Sequence, residues 1–225
     1  MYDVVYVVRE GDNNEELRYS LRSLSNLPVR QVWIVGYKPT WVTGVGYIRG
    51  NPHIGVRPSN GYANILLACR SEEIPDEFLL FNDDFFITEP MGSVPTAYRG
   101  TLGDHLKGLG KSRSSWWGIS LDRTMAELRK AGHEDPLSYE LHIPFPTVKE
   151  RMRETLERYR RVQPQNPPQW RSLYGNEHRI GGVRYPDPKA HQGELRKPFH
   201  STEDGTWMNF GLADMFTEPS PYELG

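Results

Sequence analysis

The sequence holds one cysteine, Cys69, in 225 residues. No disulfide within the chain is possible, and with no base beside it in sequence Cys69 reads as a small buried apolar side chain rather than a nucleophile. Long apolar runs are missing too. Val4–Val8 is too short for the apolar region of a signal sequence, Tyr2 and Asp3 give it no basic flank, and no later run approaches a membrane span. The expectation is a soluble cytoplasmic protein with no membrane span. Gly-x-Gly-x-x-Gly and a Walker loop are both absent, which removes the main support for dinucleotide-binding and P-loop readings. Charge of one sign is not in excess. The formal net charge is -2, so no global field draws the chain onto nucleic acid or membrane, and a polyanionic partner needs a local basic patch. No internal repeat is visible.

The hydrophobic fraction is 37%, enough for a core, while 21 glycines and 18 prolines imply many long loops. Val4–Val8 is a β-branched run of a buried strand. Residues 9–14 form a polar loop, and Asn13 or Asn14 caps a helix with Glu15 and Glu16 in its first turn and Leu17, Leu21 and Leu24 on one face. Residues 31–35 form a second strand ended by Gly36, which makes a β-α-β unit that favours parallel pairing. A third strand lies near Tyr47 and Ile48, a helix spans 60–70, and residues 78–81 are a buried strand, with residues 85–87 continuing it. Residues 100–115 read as a mobile loop. A helix begins at Ser120 or Asp122 and runs to Lys130, and a charged helix spans 147–161. The last 55 residues show little periodicity. The whole reads as one α/β domain, a Rossmann-like mixed sheet with flanking helices and an irregular C-terminal extension, in two halves, 1–98 and 99–225.

Chemistry gathers at the end of the fourth apolar strand, where Asn82, Asp83 and Asp84 stand in a row. Ligands of open α/β sheets collect beyond the carboxyl ends of strands, and two carboxylates there suit a divalent cation with all-oxygen ligation, Mg²⁺ or Mn²⁺. A strand-ending turn accounts for the same residues, since Asn and Asp favour turns. The loop after the first strand faces the same edge. Glu140 and His142 share one side of an extended stretch, the carboxylate as a base and the imidazole as a metal or phosphate ligand, although a lone His beside a Pro-rich turn is more often structural. The basic residues of 149–161 interleave with Glu150, Glu154 and Glu157, a pattern of solvated i,i+4 pairs. Lys107, Lys111 and Arg113 lie in the Gly-rich loop. Trp116, Trp117, Trp170 and Trp207 are of a type that stacks bases and sugars or fills cores.

Residues 12–24, Asp12-Asn13-Asn14-Glu15-Glu16-Leu17-Arg18-Tyr19-Ser20-Leu21-Arg22-Ser23-Leu24, resemble the D-N-E-E-L-R-Y-S-L-R-S block of the Stealth proteins, sugar-phosphate transferases of capsule synthesis and lysosomal-enzyme tagging. Residues 32–41 resemble that family's I-y-I-V-t…i-P-s-W, residues 78–86 its F-i-Y-f-N-D-D-m-F, and His142-Ile143-Pro144-Phe145-Pro146 its later H-x-P-x-P-F. The resemblance covers roughly residues 3–160 and implies a GT-A-like fold. It places Asp83 and Asp84 on the family's metal and catalytic aspartates and His142 on its block histidine, with Arg151 or Arg153 as the basic residue that follows. One departure stands out: where the family has N-A-I-E-S-H, this chain has Asn60-Gly61-Tyr62-Ala63-Asn64-Ile65, without the glutamate, which favours plain glycosyl transfer. More loosely, the compact chain is similar to small bacteriophage GT-A enzymes that glycosylate hydroxymethylpyrimidines in DNA, which implies a bacterial or phage-infected host cell.

The resulting expectation is a transferase using a UDP- or GDP-sugar and Mn²⁺ or Mg²⁺, with DNA or a glycan as acceptor, and Stealth-type sugar-phosphate transfer as the alternative. Asp83, Asp84 and His142 hold the metal. Asp84, Glu140, His142, Asp122 and Asp204 are the catalytic candidates. Val8, Arg9, Glu10, Asp12, Asn60, Asn64, Arg70, Asn82, Trp117 and Arg151 contact substrate.

Overall fold

The computed structural model describes residues 1–11, 13–50, 57–203 and 205–224. In chain order it contains β1 (Tyr2–Val8), α1 (Glu15–Ser23), β2 (Val29–Gly36), β3 (Gly46–Arg49), α2 (Arg57–Arg70), β4 (Glu77–Phe81), β5 (Phe85–Ile87), β6 (Ala97–Tyr98), β7 (Gly100–Thr101), α3 (Leu102–Gly108), α4 (Trp116–Lys130), β8 (Leu137–Ser138), β9 (Phe145–Val148), α5 (Lys149–Tyr159), α6 (Trp170–Glu177), β10 (Val183–Arg184), β11 (Lys189–Ala190), β12 (Phe199–Thr202) and α7 (Leu212–Met215). The main sheet has the order β3-β2-β1-β4-β9. Its first four strands are parallel, and β9 runs antiparallel to β4.

The sheet is buried on both faces, which is why β1 is almost continuously apolar. Val4 and Tyr6 point to the side where Leu17, Leu21 and Leu24 pack, while Val5 and Leu80 point to the side of Tyr62, Ile65, Ala68 and Cys69 of α2 and Met152 and Leu156 of α5. Cys69 is buried as expected, and burial pushes its thiol up to about 12. The architecture is thus mixed α/β, with a mixed parallel and antiparallel sheet flanked by helices.

Several expectations need correction. Residues 100–115 are not a loop. They form β7, α3 and a 3₁₀ turn over Gly110–Ser114, with Thr101 capping α3 and Leu102 and Leu106 buried against Leu121, Leu128 and Leu173. Helix α4 starts at Trp116, capped by Ser115, rather than at Ser120 or Asp122. The charged helix starts at Lys149, because residues 145–148 are a sheet strand. Asn14 sits in a left-handed conformation with no side-chain cap bond, and its amide instead donates to Arg9 O at 3.0 Å. β5 does not extend β4. It belongs to a second sheet, β11-β12-β5, in which β12 is antiparallel to it.

That second sheet makes the C-terminal residues integral to the fold. Glu223 binds Arg18 at 3.0 Å and Arg22 at 2.8 Å, Thr202 donates to Glu16 at 2.9 Å, and Tyr19 packs on Trp207. Ser20 lies at the centre of the block. Its hydroxyl donates to Phe85 O and meets the buried Tyr6 hydroxyl at 2.8 Å, joining α1, β1 and β5. Ser20→Ala is expected to cost about 1–3 kcal/mol, because it orphans buried polar groups, whereas exposed Ser25→Ala is near neutral. In urea denaturation, Tyr6→Phe with Ser20→Ala should cost less than the two single changes summed.

Burial sets the acid response. His105 and His200 are held down to about 4, in both by desolvation, then by Arg99 near the first and Arg196 near the second. Both rings are neutral in the fold and gain protons on unfolding between about pH 6.5 and 4, so their stabilisation is complete above that window and lost as pH falls through it. The expected result is a melting temperature that declines across this window, with a shallower decline in His105→Gln/His200→Gln, read by circular dichroism at each pH.

Candidate active site

β1 pairs with β2 on one side and β4 on the other, so the chain reverses its direction of travel across the sheet at β1. At such a reversal the loops leaving adjacent strands diverge and open a crevice beyond the carboxyl ends. A cavity of about 950 Å³ lies there. Val7–Glu10 leave β1, Gly36–Lys38 leave β2, Tyr47, Arg49 and Gly50 close β3, and Asn82 and Asp83 leave β4. Gly36 is required at this floor. Its φ is +113, and a Cβ would lie 2.2 Å from Val8 O. Asn60, Tyr62 and Asn64 of α2 form one wall, and Trp116, Trp117 and Ser120 of α4 with Pro167–Arg171 form the other.

The lining is cationic, although the chain carries a net charge of -2. Arg9, Lys38, Arg49 and Arg171 outnumber the carboxylates Glu10 and Asp83, four to two. Three tyrosines, three tryptophans and the carboxamides of Asn60, Asn64, Asn82 and Gln169 supply the rest of its recognising surface. Polar, planar groups of this kind bind rings bearing hydroxyls and phosphates.

Of the residues singled out in the sequence, the structure brings Val8, Arg9, Glu10, Asn60, Asn64, Asn82, Asp83 and Trp117 together around this cavity. Asp12 and Asp204 lie outside the described residues. Arg70 is elsewhere, paired with Glu157 at 2.8 Å on the α2–α5 surface. Asp122 is also off the lining, in a two-point contact with Arg113 at 2.8 and 3.0 Å. Arg151 is exposed on α5 and lines no part of the cavity. Arg70, Asp122 and Arg151 were chosen by residue type and order, and the phase of their helices carries their side chains away from the cavity.

The two aspartates separate. Asp83 lines the cavity, while Asp84 turns toward the second sheet, accepting from Ser201 Oγ at 3.0 Å with Lys189 Nζ at 3.7 Å. Asp84 Oδ1 is buried with no partner among the described residues. Among those residues no three His, Cys, Asp or Glu side chains form a metal-ligand group.

Glu140 is fully buried behind the wall. Its carboxylate accepts from the backbone and hydroxyl of Ser172 at 3.0 and 2.8 Å and lies 4.0 Å from Arg171. Burial raises its pKa, against Arg171 and Ser172. Enclosed in this way, it anchors α6 and does not reach an acceptor. His142 does not line the cavity either. Its Nδ1 is 3.0 and 3.1 Å from the two Asp187 oxygens, its backbone N–H donates to the same carboxylate at 3.2 Å, and its ring meets Phe85 edge-on. Burial alone would raise the Asp187 carboxyl, but His142 and Arg99 outweigh it and hold it down at about 2.

Sequence reasoning missed Lys38, Arg49, Arg171, Asp187 and Lys189. The last three stand in a Pro-rich, aperiodic stretch whose partners are far away in sequence. The chain matches no protein-family model and no curated protein.

An Asp187 carboxylate facing Nδ1 fixes the neutral His142 imidazole as the Nδ1–H tautomer and leaves Nε2 as an acceptor. Ring ¹⁵N shifts at mildly alkaline pH should show that tautomer, and Asp187→Ala should return the ring to the tautomer mixture of a free imidazole.

Proposed function

We propose that this chain is a nucleotide-sugar-dependent glycosyltransferase of GT-A-like architecture. The observation that carries the proposal is the cavity at the β1/β4 reversal, which joins a strand-terminal Asp83, a cationic lining and an aromatic, carboxamide-rich wall in one space. A nucleoside diphosphate matches the first two features and a sugar ring the third. The likeness of residues 78–86 to the Stealth N-D-D block supports the same assignment.

The donor set at the strand end fits a hard divalent cation. Asp83 brings carboxylate oxygens to the cavity, Asp84 Oδ1 is a buried oxygen with no described partner although Oδ2 is held by Ser201 and Lys189, and Mg²⁺ and Mn²⁺ accept few protein carboxylates when phosphate and water complete the shell. Asp83 would hold the cation, with Asp84 behind it. Bound there, Mn²⁺ or Mg²⁺ supplies positive charge to the departing diphosphate.

In the transfer, the bond from the sugar's anomeric carbon to the diphosphate breaks and a bond to the acceptor oxygen forms. The acceptor hydroxyl loses a proton, and we assign its receipt to Glu10, a carboxylate of the lining apart from the metal-binding Asp83. Tyr37, Tyr47 and the glycine floor accommodate the nucleoside, and Trp117 and Trp170 the sugar side. The acceptor is a glycan or hydroxymethylpyrimidine DNA.

Stealth-type sugar-phosphate transfer is a second reading, favoured by one observation, the carboxylate-oriented His142. Attack then falls on phosphorus and the released product is a nucleoside monophosphate.

A mass-spectrometric screen of UDP- and GDP-sugars with Mn²⁺ distinguishes these readings. Release of UDP or GDP is expected, with Asp83→Asn lowering the rate by about 100-fold or more, the range seen when one charge-stabilising group is lost. UMP or GMP would transfer the assignment to phosphosugar transfer, and unaltered turnover in Asp83→Asn or in EDTA would remove the metal role.

A further inference from the structure

Arg171 is a deeply enclosed cation of the cavity wall. Its side chain is 11% exposed. Of the five N–H bonds of a guanidinium, one is used in a hydrogen bond to a described residue, from NH2 to Asn82 Oδ1 at 3.3 Å. NH1 approaches Glu140 only to 4.0 Å, an ion pair too long for a hydrogen bond. Nε is buried and has no partner among the described residues. The guanidinium carbon lies 4.3 Å from the Trp170 ring centre and 5.7 Å from that of Phe85.

The pair is lopsided. Glu140 spends its hydrogen-bonding oxygen on Ser172, so it serves Arg171 as a counter-charge and not as an acceptor. Buried arginine donors left unsatisfied are costly, so water, an ion or a ligand oxygen beside them is favoured. The two aromatic rings hold the fork in place, Asn82 tethers one arm at the end of β4, and a planar fork of N–H groups is complementary to two oxygens of one oxyanion. Lys38, another cation of the lining, gives one of its three ammonium donors to Val42 O at 2.9 Å and has no planar fork to offer.

We propose that Arg171 is an anion-binding residue of the cavity, taking the oxygens of a ligand phosphoryl group without help from a metal, with Glu140 as the buried counter-ion that positions it. The inference rests on the assignment of the cavity to a nucleotide sugar and names the protein group that grips its diphosphate.

Inorganic pyrophosphate in EDTA is the probe, followed by calorimetry and by the shift in melting temperature. Arg171→Met leaves Glu140 buried without a counter-charge, so the decisive variant is Glu140→Gln/Arg171→Met, which removes both charges and is checked for folding by circular dichroism. Wild type is expected to bind, the double variant to bind about tenfold or more weakly, and Arg171→Lys, which keeps the charge and loses the fork, to fall between them. Equal binding by a folded double variant, or binding by wild type that appears only with Mn²⁺, overturns the proposal. Pyrophosphate held through Arg171 with no turnover of any nucleotide sugar would instead sink the transferase assignment and leave the anion site standing. Wild-type turnover in the double variant would do the reverse.

Discussion

Parallel pairing of β1 with a neighbour on each side is the constraint on which the rest of the structure depends. Because β2 and β4 flank the same strand, one buried run of valines and a tyrosine holds both halves of the main sheet in register. The loops that leave β1 and β4 must then diverge, and the cavity is the space between them. The groups that line it come from strand ends on this edge and the loops leaving them, from α2 and α4, and from the segment that enters α6. A substitution that weakens β1 would thus disturb stability and the cavity floor together.

Charge is sorted by depth around that floor. Asp83 and four cations meet the open space, while Asp84, Glu140 and Asp187 are drawn behind it by Ser201 and Lys189, by Ser172 and Arg171, and by His142 and Arg99. The rear carboxylates neutralise and orient, and the front groups line the space a ligand would enter. Burying carboxylates in this way is tolerable only because each has a cation or several donors beside it. The arrangement also explains why residue type alone misjudged Glu140: an acidic side chain three percent exposed cannot act on a molecule it never touches.

Much of the main sheet was legible in the sequence. Strands buried on both faces appear as unbroken apolar runs, and residues 4–8, 31–35 and 78–81 do so; the position of Asn82 and Asp83 at the sheet's carboxyl edge followed from that alone. Residues 100–115 were misjudged because glycine and serine are the frequent types there, while the few residues that matter, Leu102 and Leu106, are buried by partners on α4 and α6. Arg171 and Asp187 gave no local signal, since their roles come from contacts with Asn82 and His142, 89 and 45 residues away. Residues 15–23, the segment closest to the Stealth block, are largely explained by packing. Leu17 and Leu21 enter the core, Ser20 joins two strands, and Glu16, Arg18, Tyr19 and Arg22 hold the C-terminal residues.

The clasp between Arg22 and Glu223 spans 201 residues of chain. At synthesis rates of about 5–20 residues per second, α1 leaves the ribosome roughly 10–40 s before its ionic partner does. Until then the apolar face that Tyr19 offers to Trp207, and the edge of β5 awaiting β12, stay uncovered on a nascent polypeptide. Holdase chaperones therefore have a long opportunity at the first helix, and a translational pause before codon 200 would lengthen exposure there and along β5.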